Sequence, residues 1–596
     1  MGKEEQVVSA NNVRRVRRGD VLILTVDNPP LGALTSGVRT NLLDEIEAAE
    51  ADESVRGIVL SGVGNVFATG ASVAEDDDPD APDLVSLCDR VEACTKPVVA
   101  AIQGAALGGG LELAMAAHLR VVHPNSRLGS PEITVGLVPR AGGTQRLPKL
   151  VGGIAALKML LSGRAVSGEN AQRLGLADQV VQGEVVDHAV ATVRSLINSK
   201  GDVRRSSERR DRLGEGTAFL EVVAEHKKVA ANSPLEAPSR LIECVEAALL
   251  LPYEVGRGLE QAAFDDLVES EHSKSLRHIF AAERQLQAAT KWEGRVASRP
   301  LKSVAIVGAQ AESAELVVLC LDAGFEVTVA EDSDEALEQG VARIIEHFDA
   351  RVAAGKTTEE VVETILDRMH AVSGFRTLID ADIVVDPSAK ASKSRVKALD
   401  AAMRTGAVLA LGVEGVAIEK VASATDRPQD IVGLRFATGL RMNRLVELSA
   451  PKDAGPKALA TARAMMRKLD RLILDVAPSE QGIANRLVEA LHAAADLCLE
   501  DGAGPTQIDA ALRDWGIPFG SFAFRDIVGQ NRRRDTSADG QRGGGLDVAL
   551  AEAGRLGLAN GRGYFTYEQR GMQGKEDPEV QALIEADRAA KGITPK

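Results

Sequence analysis

Glu112 stands in "GAALGGGLELAM" and Glu132 in "LGSPEITVGLVPRAGGTQRL", two carboxylates set in glycine-rich and otherwise apolar frames. In the first frame an apolar strand runs into Gly108, Gly109 and Gly110 and then into a helix, so the amides of that turn stand at a helix N-terminus, where negative charge is attracted. A thioester activated at its alpha carbon develops negative charge on its carbonyl oxygen, and preorganised backbone donors lower the barrier to that state. Glu112 falls in the first helical turn, close to where such an oxygen would lie. Burial in "LELAM" pushes a carboxyl pKa upward, which suits a group that takes and gives a proton near neutrality, and Glu132, between Pro131 and "ITVGLV", has a similar setting. Spacing alone leaves a plainer reading equally open, in which Glu112 stabilises a helix start and Glu132 caps the next element. It does not say whether the two carboxylates meet.

The elements that would position them read as an α/β fold. Short β-rich runs such as "GIVLSGV" and "PVVAAIQG" alternate with helical segments such as "VRTNLLDEIEAAEAD" up to about residue 190. Residues 200–235, rich in Arg, Glu, Lys and Ser, read as a solvated connector, and a long helical run from Ser239 to Gln287 follows. A second α/β unit opens at "LKSVAIVGAQAESAELVVLCLDAGFEVTVAED", in the order strand, turn, helix, strand, ending in Glu331 and Asp332. From about residue 480 the pattern becomes helical, interrupted by "GQNRRRDTSADGQRGGG", which reads as a mobile loop.

With 596 residues the chain has material for several domains, and 45% apolar with 26% charged residues is ordinary for a globular protein. The net charge of −16 argues against a nucleic-acid partner and against an anionic membrane surface. No apolar run has the length of a signal-peptide core or a membrane span, so a cytoplasmic location is expected. Five scattered cysteines, Cys88, Cys94, Cys244, Cys320 and Cys498, lack metal-ligand spacing and read as buried small hydrophobes; no metal is expected.

Residues 10–195 resemble the crotonase superfamily, and especially its enoyl-CoA hydratases: "FATGASVAEDD" is similar to the family's first oxyanion loop, "GAALGGGLELAM" to its second with the first acid, and "GSPEITVGLVPRAGGTQRLPKLVG" to its second acid and following helix. The resemblance implies that the amides of Ala71 and Gly109 hold the thioester oxygen, that Glu112 activates water for attack at C3, and that Glu132 protonates C2. Two proton movements need two partners, so retention of both acids favours hydration. Isomerisation of a 3-enoyl thioester or retro-aldol cleavage through the same enolate is the alternative. Ser72, where the family usually has Asp, and Gly32, where it commonly has Asn, bear on the shape of the acyl pocket.

From residue 300 onward the layout resembles the 3-hydroxyacyl-CoA dehydrogenase half of the bifunctional β-oxidation enzymes, carried by "DIVGLRFATGLRMNRLVEL", "GIANRLVEALHAAADLCLEDG" and "WGIPFGSFAFRDIVG". A dinucleotide turn uses G-x-G-x-x-G so that backbone approaches the pyrophosphate, but here Gly308 is followed by Gln310 and Ser313. The resemblance places Arg435 where the family has its catalytic His, beside a retained Glu447 and Asn485, and an arginine stays protonated. "LGVEGVAI" replaces the segment with the active-site Ser, and Lys390 stands in place of a Glu.

These readings give an N-terminal crotonase domain with a ββα spiral over 1–195, a connector and linker helices over 196–298, a degenerate Rossmann-like α/β domain over 299–480 and a C-terminal all-α domain over 481–596. The expected function is an enoyl-CoA hydratase acting on a 2-enoyl-CoA thioester, with no tightly bound cofactor. NAD is expected not to bind, and dehydrogenase activity to be absent. The second half is then a scaffold, a lid or an assembly surface for a homo-oligomer or partner subunit, or a regulatory or docking module that binds CoA or a partner subunit without catalysing a reaction. The family's relatives continue into a further helical domain, so apolar residues of "GLDVALAEAGRLGL" serve either as an interface or as a small self-contained helical core.

Overall fold

The structure, a computed structural model, describes residues 5–10, 12–29, 31–70, 80–199, 203–212, 214, 216–288, 296–388, 392–412, 418–437, 440, 443–479, 482–529, 545–558, 560–568 and 574–594. The chain divides into two compact units, Met1–Ala282 and Glu283–Lys596.

In the first unit, β1 (Glu5–Ala10), β2 (Val13–Arg18), β3 (Val21–Val26), β4 (Gly57–Gly62), β6 (Val98–Ile102), β8 (Leu119–Val122) and β11 (Gln179–Val180) form one sheet in that order. β1 to β3 pair antiparallel, and β3, β4, β6, β8 and β11 run parallel. The parallel strands "VLILTV", "GIVLSG" and "VVAAI" are apolar on both faces because both faces are covered. α7 (Val185–Ser199) packs Val185, Ala189, Val190 and Val193 against Ile23, Val59, Val99 and Val121. The other face meets the main core, to which α1 (Ser36–Ala51), α2 (Leu84–Ala93), α3 (Gly109–Ala116), α4 (Gly143–Val151), α5 (Gly153–Ser162) and α6 (Gly168–Leu174) contribute. A smaller sheet follows the order β10 (Val166–Ser167), β9 (Arg127–Gly129), β7 (Ala105–Leu107), β5 (Val66–Thr69), the last three parallel.

The stretch 200–235 differs from its reading as a solvated connector. It contains α8 (Gly216–Ala230), whose Phe219 and Val223 recur one turn apart and are buried. The charged residues of the stretch crowd 204–212, ahead of the helix, and Glu221, Glu225, Lys227 and Lys228 are exposed on the helix itself, which hides its apolar stripe from a compositional reading. The helical run after it is three helices: α9 (Ala237–Leu250), α10 (Tyr253–Glu269), started after Pro252, and α11 (Glu271–Ala288). α8, α9 and α10 all supply residues to the core of the first unit.

The second unit holds β12 (Ser303–Val307), β13 (Glu326–Glu331), β14 (Met369–Ser373), β15 (Ile383–Asp386), β16 (Val408–Leu411), β17 (Ile431–Phe436), β18 (Leu445–Ser449) and β19 (Leu472–Val476). The sheet order is β14-β13-β12-β15-β16-β17-β18-β19. Its first six strands are parallel and follow the doubly wound order 3-2-1-4-5-6. The expected α/β architecture with a Rossmann-like sheet is present, and a helical part follows it. Helices Ile483–Glu500, Pro505–Trp515, Ser521–Val528, Gly545–Glu552 and Pro578–Ala590 enclose a core of Ala495, Leu499, Phe522, Leu546, Leu550 and Tyr564. Leu546 and Leu550 therefore favour the self-contained core over the interface for "GLDVALAEAGRLGL". The segment read as a mobile loop lies almost wholly outside the described residues. Cys88, Cys94, Cys244 and Cys320 are buried as expected, but Cys498 is exposed, on the outer face of the helix Ile483–Glu500. No described helix is long and apolar enough to cross a membrane.

Candidate active site

The small sheet brings the two carboxylates together. Its parallel register sets Thr69 beside Leu107 and Leu107 beside Gly129, so β5, β7 and β9 leave the sheet at one edge. The Gly70 N–H donates to Leu107 O at 3.1 Å and the Gly108 N–H to Gly129 O at 2.9 Å, which binds the three exits to each other. A Cβ on Gly70 would lie 3.0 Å from the Gly109 nitrogen, so the start of α3 and the end of β5 stand backbone against backbone. Gly109 opens α3, and the N–H of a first helical residue has no carbonyl one turn back to pair with. Ala71 and Ser72 lie outside the described residues, and Gly70 marks where that segment leaves the sheet.

Gly108 holds φ +55°, and a Cβ there would come within 2.9 Å of Glu132 Oε1. Glycine serves both the left-handed turn and the close approach of the carboxylate. Glu132 opens a 3-10 turn, Glu132–Val135, separated from the end of β9 by two residues, and is half-buried. Ser130 Oγ donates to its Oε2 at 2.6 Å, while desolvation pushes its carboxyl pKa upward.

Glu112 sits in the first turn of α3, only 3% exposed, among neighbours that are all buried. Its Oε1 accepts from the Ala141 N–H at 2.8 Å and the Gly143 N–H at 2.9 Å, both in the turn that starts α4. Burial, followed by the negative charges of Glu260 and Glu132, raises its pKa to about 8. Glu112 and Glu132 thus repel each other across the same edge, and such a pair holds one proton more readily than none.

Sequence reading missed three contributors. Glu260 of α10 is fully buried and accepts from the Gly142 N–H and the Thr144 N–H, each at 2.6 Å, and from the Thr144 hydroxyl. Its signal was an acid on the buried stripe Gly256, Glu260, Ala263, Phe264, Leu267, where solvent cannot account for a charge. Ser130 is the second, two residues before the acid it serves. Arg146 is the third: fully buried, it donates to Ala141 O at 2.6 Å and pairs with Glu92 Oε2 at 2.9 Å, tying the turn to α2.

In the second unit the turn after β12 carries Gly308, Gln310 and Ser313. Gly308 has φ +94°, Gln310 stands exposed at the N-cap of the helix Ala311–Asp322, and Ser313 is buried. Glu331, at the end of β13 where a ribose would be met, accepts from the Ala309 N–H at 2.6 Å and so occupies a donor of the turn itself. Arg435 and Glu447 face each other across β17 and β18 as a buried pair at 3.1 Å, and Glu447 also accepts from the Ala484 N–H at 2.8 Å. Lys390 and residues 413–417 lie outside the described residues.

Residues 17–210 match the family of enoyl-CoA hydratase/isomerase, 303–478 that of the 3-hydroxyacyl-CoA dehydrogenase NAD-binding domain and 483–567 that of the dehydrogenase C-terminal domain. Over 604 residues the chain is 30% identical to the peroxisomal bifunctional enzyme of Danio rerio, covering 97% of this chain and 83% of that protein. The chain belongs to the family of bifunctional β-oxidation enzymes. The peroxisomal bifunctional enzyme of Homo sapiens is 27% identical, with 96% and 83% covered, and the fatty acid oxidation complex subunit alpha of Shewanella baltica (strain OS185) is 29% identical, with 97% and 85% covered. The resemblance read from the motifs therefore extends along the whole chain. This member of the bifunctional family joins an enoyl-CoA hydratase/isomerase domain to both parts of a dehydrogenase, and Gln310 and Ser313 do not place it outside the NAD-binding domain family.

Proposed function

We propose that the first unit hydrates 2-enoyl-CoA thioesters, with Glu112 as base, Glu132 as acid and the amides of Gly109 and Ala71 on the thioester oxygen. The observation that carries this reading is the shared edge of β5, β7 and β9, where the Gly108–Gly109 turn, Glu112 and Glu132 come together. Glu112 takes a proton from water as the water oxygen bonds to C3. The double-bond electrons move towards C2 and the thioester oxygen, where amide donors hold the enolate, and Glu132 then gives its proton to C2. Loss of the enoyl absorbance of crotonyl-CoA on incubation with the full chain tests this. Conversion of 3-enoyl or 3-hydroxy thioesters alone would replace it with the isomerase or lyase reading.

For the second unit we propose a non-catalytic role without NAD. The residues present fit the cofactor poorly: Glu331 is turned onto the Ala309 amide, Gln310 stands where a bare backbone is wanted, and Arg435 fills the place of a proton acceptor while paired with Glu447. Calorimetric titration of the full chain with NAD decides it, and binding in the micromolar range would overturn the proposal. The divisions at 298 and 480, a cytoplasmic location, and assembly as a homo-oligomer or with a partner subunit belong to the same reading, while the helices after 195 pack into the first unit. Limited proteolysis, fractionation and light scattering test them in turn.

A further inference from the structure

Four consecutive amides in the turn before and into α4 are shared alternately between two buried carboxylates from different elements. Ala141 and Gly143 donate to Glu112 of α3, and Gly142 and Thr144 donate to Glu260 of α10. Gly142, at φ +86° and ψ 13°, puts a left-handed bend between Ala141 and the first residues of α4, and along that bend alternate amides meet one acid or the other. Four further hydrogen bonds hold the arrangement. The Thr144 hydroxyl donates to Glu260, Gln145 Nε2 donates to Thr144 Oγ1 at 2.8 Å and to Cys244 O of α9 at 2.8 Å, and Arg146 holds Ala141 O. A Cβ on Gly143 would lie 2.7 Å from Glu112 Oε1, so the turn has no slack on the Glu112 side.

We infer that Glu260 is a positioning residue for Glu112: by gripping the Gly142 and Thr144 amides it fixes the turn whose other two amides aim the Glu112 carboxylate. The inference rests on the reading of Glu112 as the base. Among the described residues Glu260 is hydrogen-bonded to Gly142 and Thr144 and not to Gly108 or Gly109, so its action passes through the turn and through its charge.

A residue that merely filled the core would not alter the titration of Glu112, and this separates the two roles. Glu260 faces Glu112 of α3, Arg146 of α4, Cys244 of α9 and Tyr253 of its own helix, while Glu112 also faces Glu132 and Cys88 of α2. Burial pushes Cys88, Cys244 and Tyr253 up and keeps them neutral, and Arg146 stays charged, so Glu112, raised to about 8, and Glu260, raised to about 7, are the members of this group that titrate near neutrality, with Glu132 raised beside them by burial. The negative charge of Glu260 raises the pKa of Glu112. With that charge removed, Glu112 ionises at lower pH, and the limb of activity that rises with pH moves down.

The test is the pH dependence of kcat for hydration by the full chain, wild type against Glu260→Gln and Glu260→Asp. For Glu260→Gln the rising limb should shift down by about one pH unit, with kcat reduced about 10- to 100-fold and KM changed less than about 3-fold. Glu260→Asp keeps the charge on a shorter arm, so its limb should stay in place while kcat falls about 5-fold or more. A folded Glu260→Gln enzyme whose limb has not moved overturns the inference. Should the Gln variant fail to fold, Glu260→Asp decides alone: a reduced kcat on an unmoved limb supports the role, and a wild-type kcat removes it. A wild-type chain that hydrates no enoyl thioester would refute the hydratase reading itself, and this inference with it.

Discussion

Gly108 has two duties at one atom. Its φ of +55° lets β7 turn into α3, and its missing Cβ leaves room for Glu132 Oε1. Gly108→Ala should therefore lower hydratase kcat about 100-fold or more, while circular dichroism stays that of the wild type. Glu132→Gln should lose about 10²- to 10⁴-fold in kcat with its thermal transition retained, and near-normal turnover in that variant would remove Glu132 from the mechanism. Stability carries the opposite signature of the same acids. Glu112 is raised from an ordinary 4.5 to about 8 and Glu260 to about 7, so both bind protons more tightly in the folded state than in the unfolded one. Their contribution to stability is complete below the ordinary carboxylate range and is lost as pH climbs through 7 and 8. Calorimetry should show the first unit melting at lower temperature at pH 8 than at pH 5. The double variant Glu112→Gln, Glu260→Gln should flatten that dependence.

At the scale of elements, the turn from Ala141 to Thr144 is held from three sides, by α3, by α10 and, through Arg146, by α2. Arg146→Met would leave Glu92 buried beside α4 without its cation, and should cost the first unit about 3 to 5 kcal/mol in chemical denaturation. This scale also decides what the sequence could reveal. Glycines 108 to 110 announced the strand-to-helix turn, and "LELAM" announced a desolvated acid, because both signals are local. The meeting of Glu112 with Glu132 was not legible, since it depends on β7 and β9 lying side by side, and β9 is three residues long. Glu260 was hidden for a related reason: its partner turn lies more than a hundred residues upstream, and only the packing of α10 on α4 sets them together. In α8 composition misled, because Phe219 and Val223 are outnumbered by exposed charged residues along the same helix.

For the whole molecule, the contrast between the units is chemical before it is structural. The second sheet keeps the strand order of a dinucleotide-binding domain, yet Glu331 holds the Ala309 amide and Arg435 pairs with Glu447. Arg435→His would supply an imidazole beside Glu447, but Glu331 would remain on the Ala309 amide. On the proposed non-catalytic role we expect no NAD-dependent oxidation of a 3-hydroxyacyl thioester from that single change, measured as NADH absorbance; appreciable turnover would overturn the proposed misfit of Glu331 and Gln310 to NAD. The first unit, for its part, does not end where its family match ends. Residues beyond 210 supply Leu241, Ile242, Val245, Phe264 and Leu267 to its core and Glu260 to its turn. Recombination at the family boundary would thus deliver a hydratase with an open flank and a slack hinge. The heritable module is longer than the homologous one, and shuffling of these two halves during evolution would have had to carry the joining helices with the hydratase.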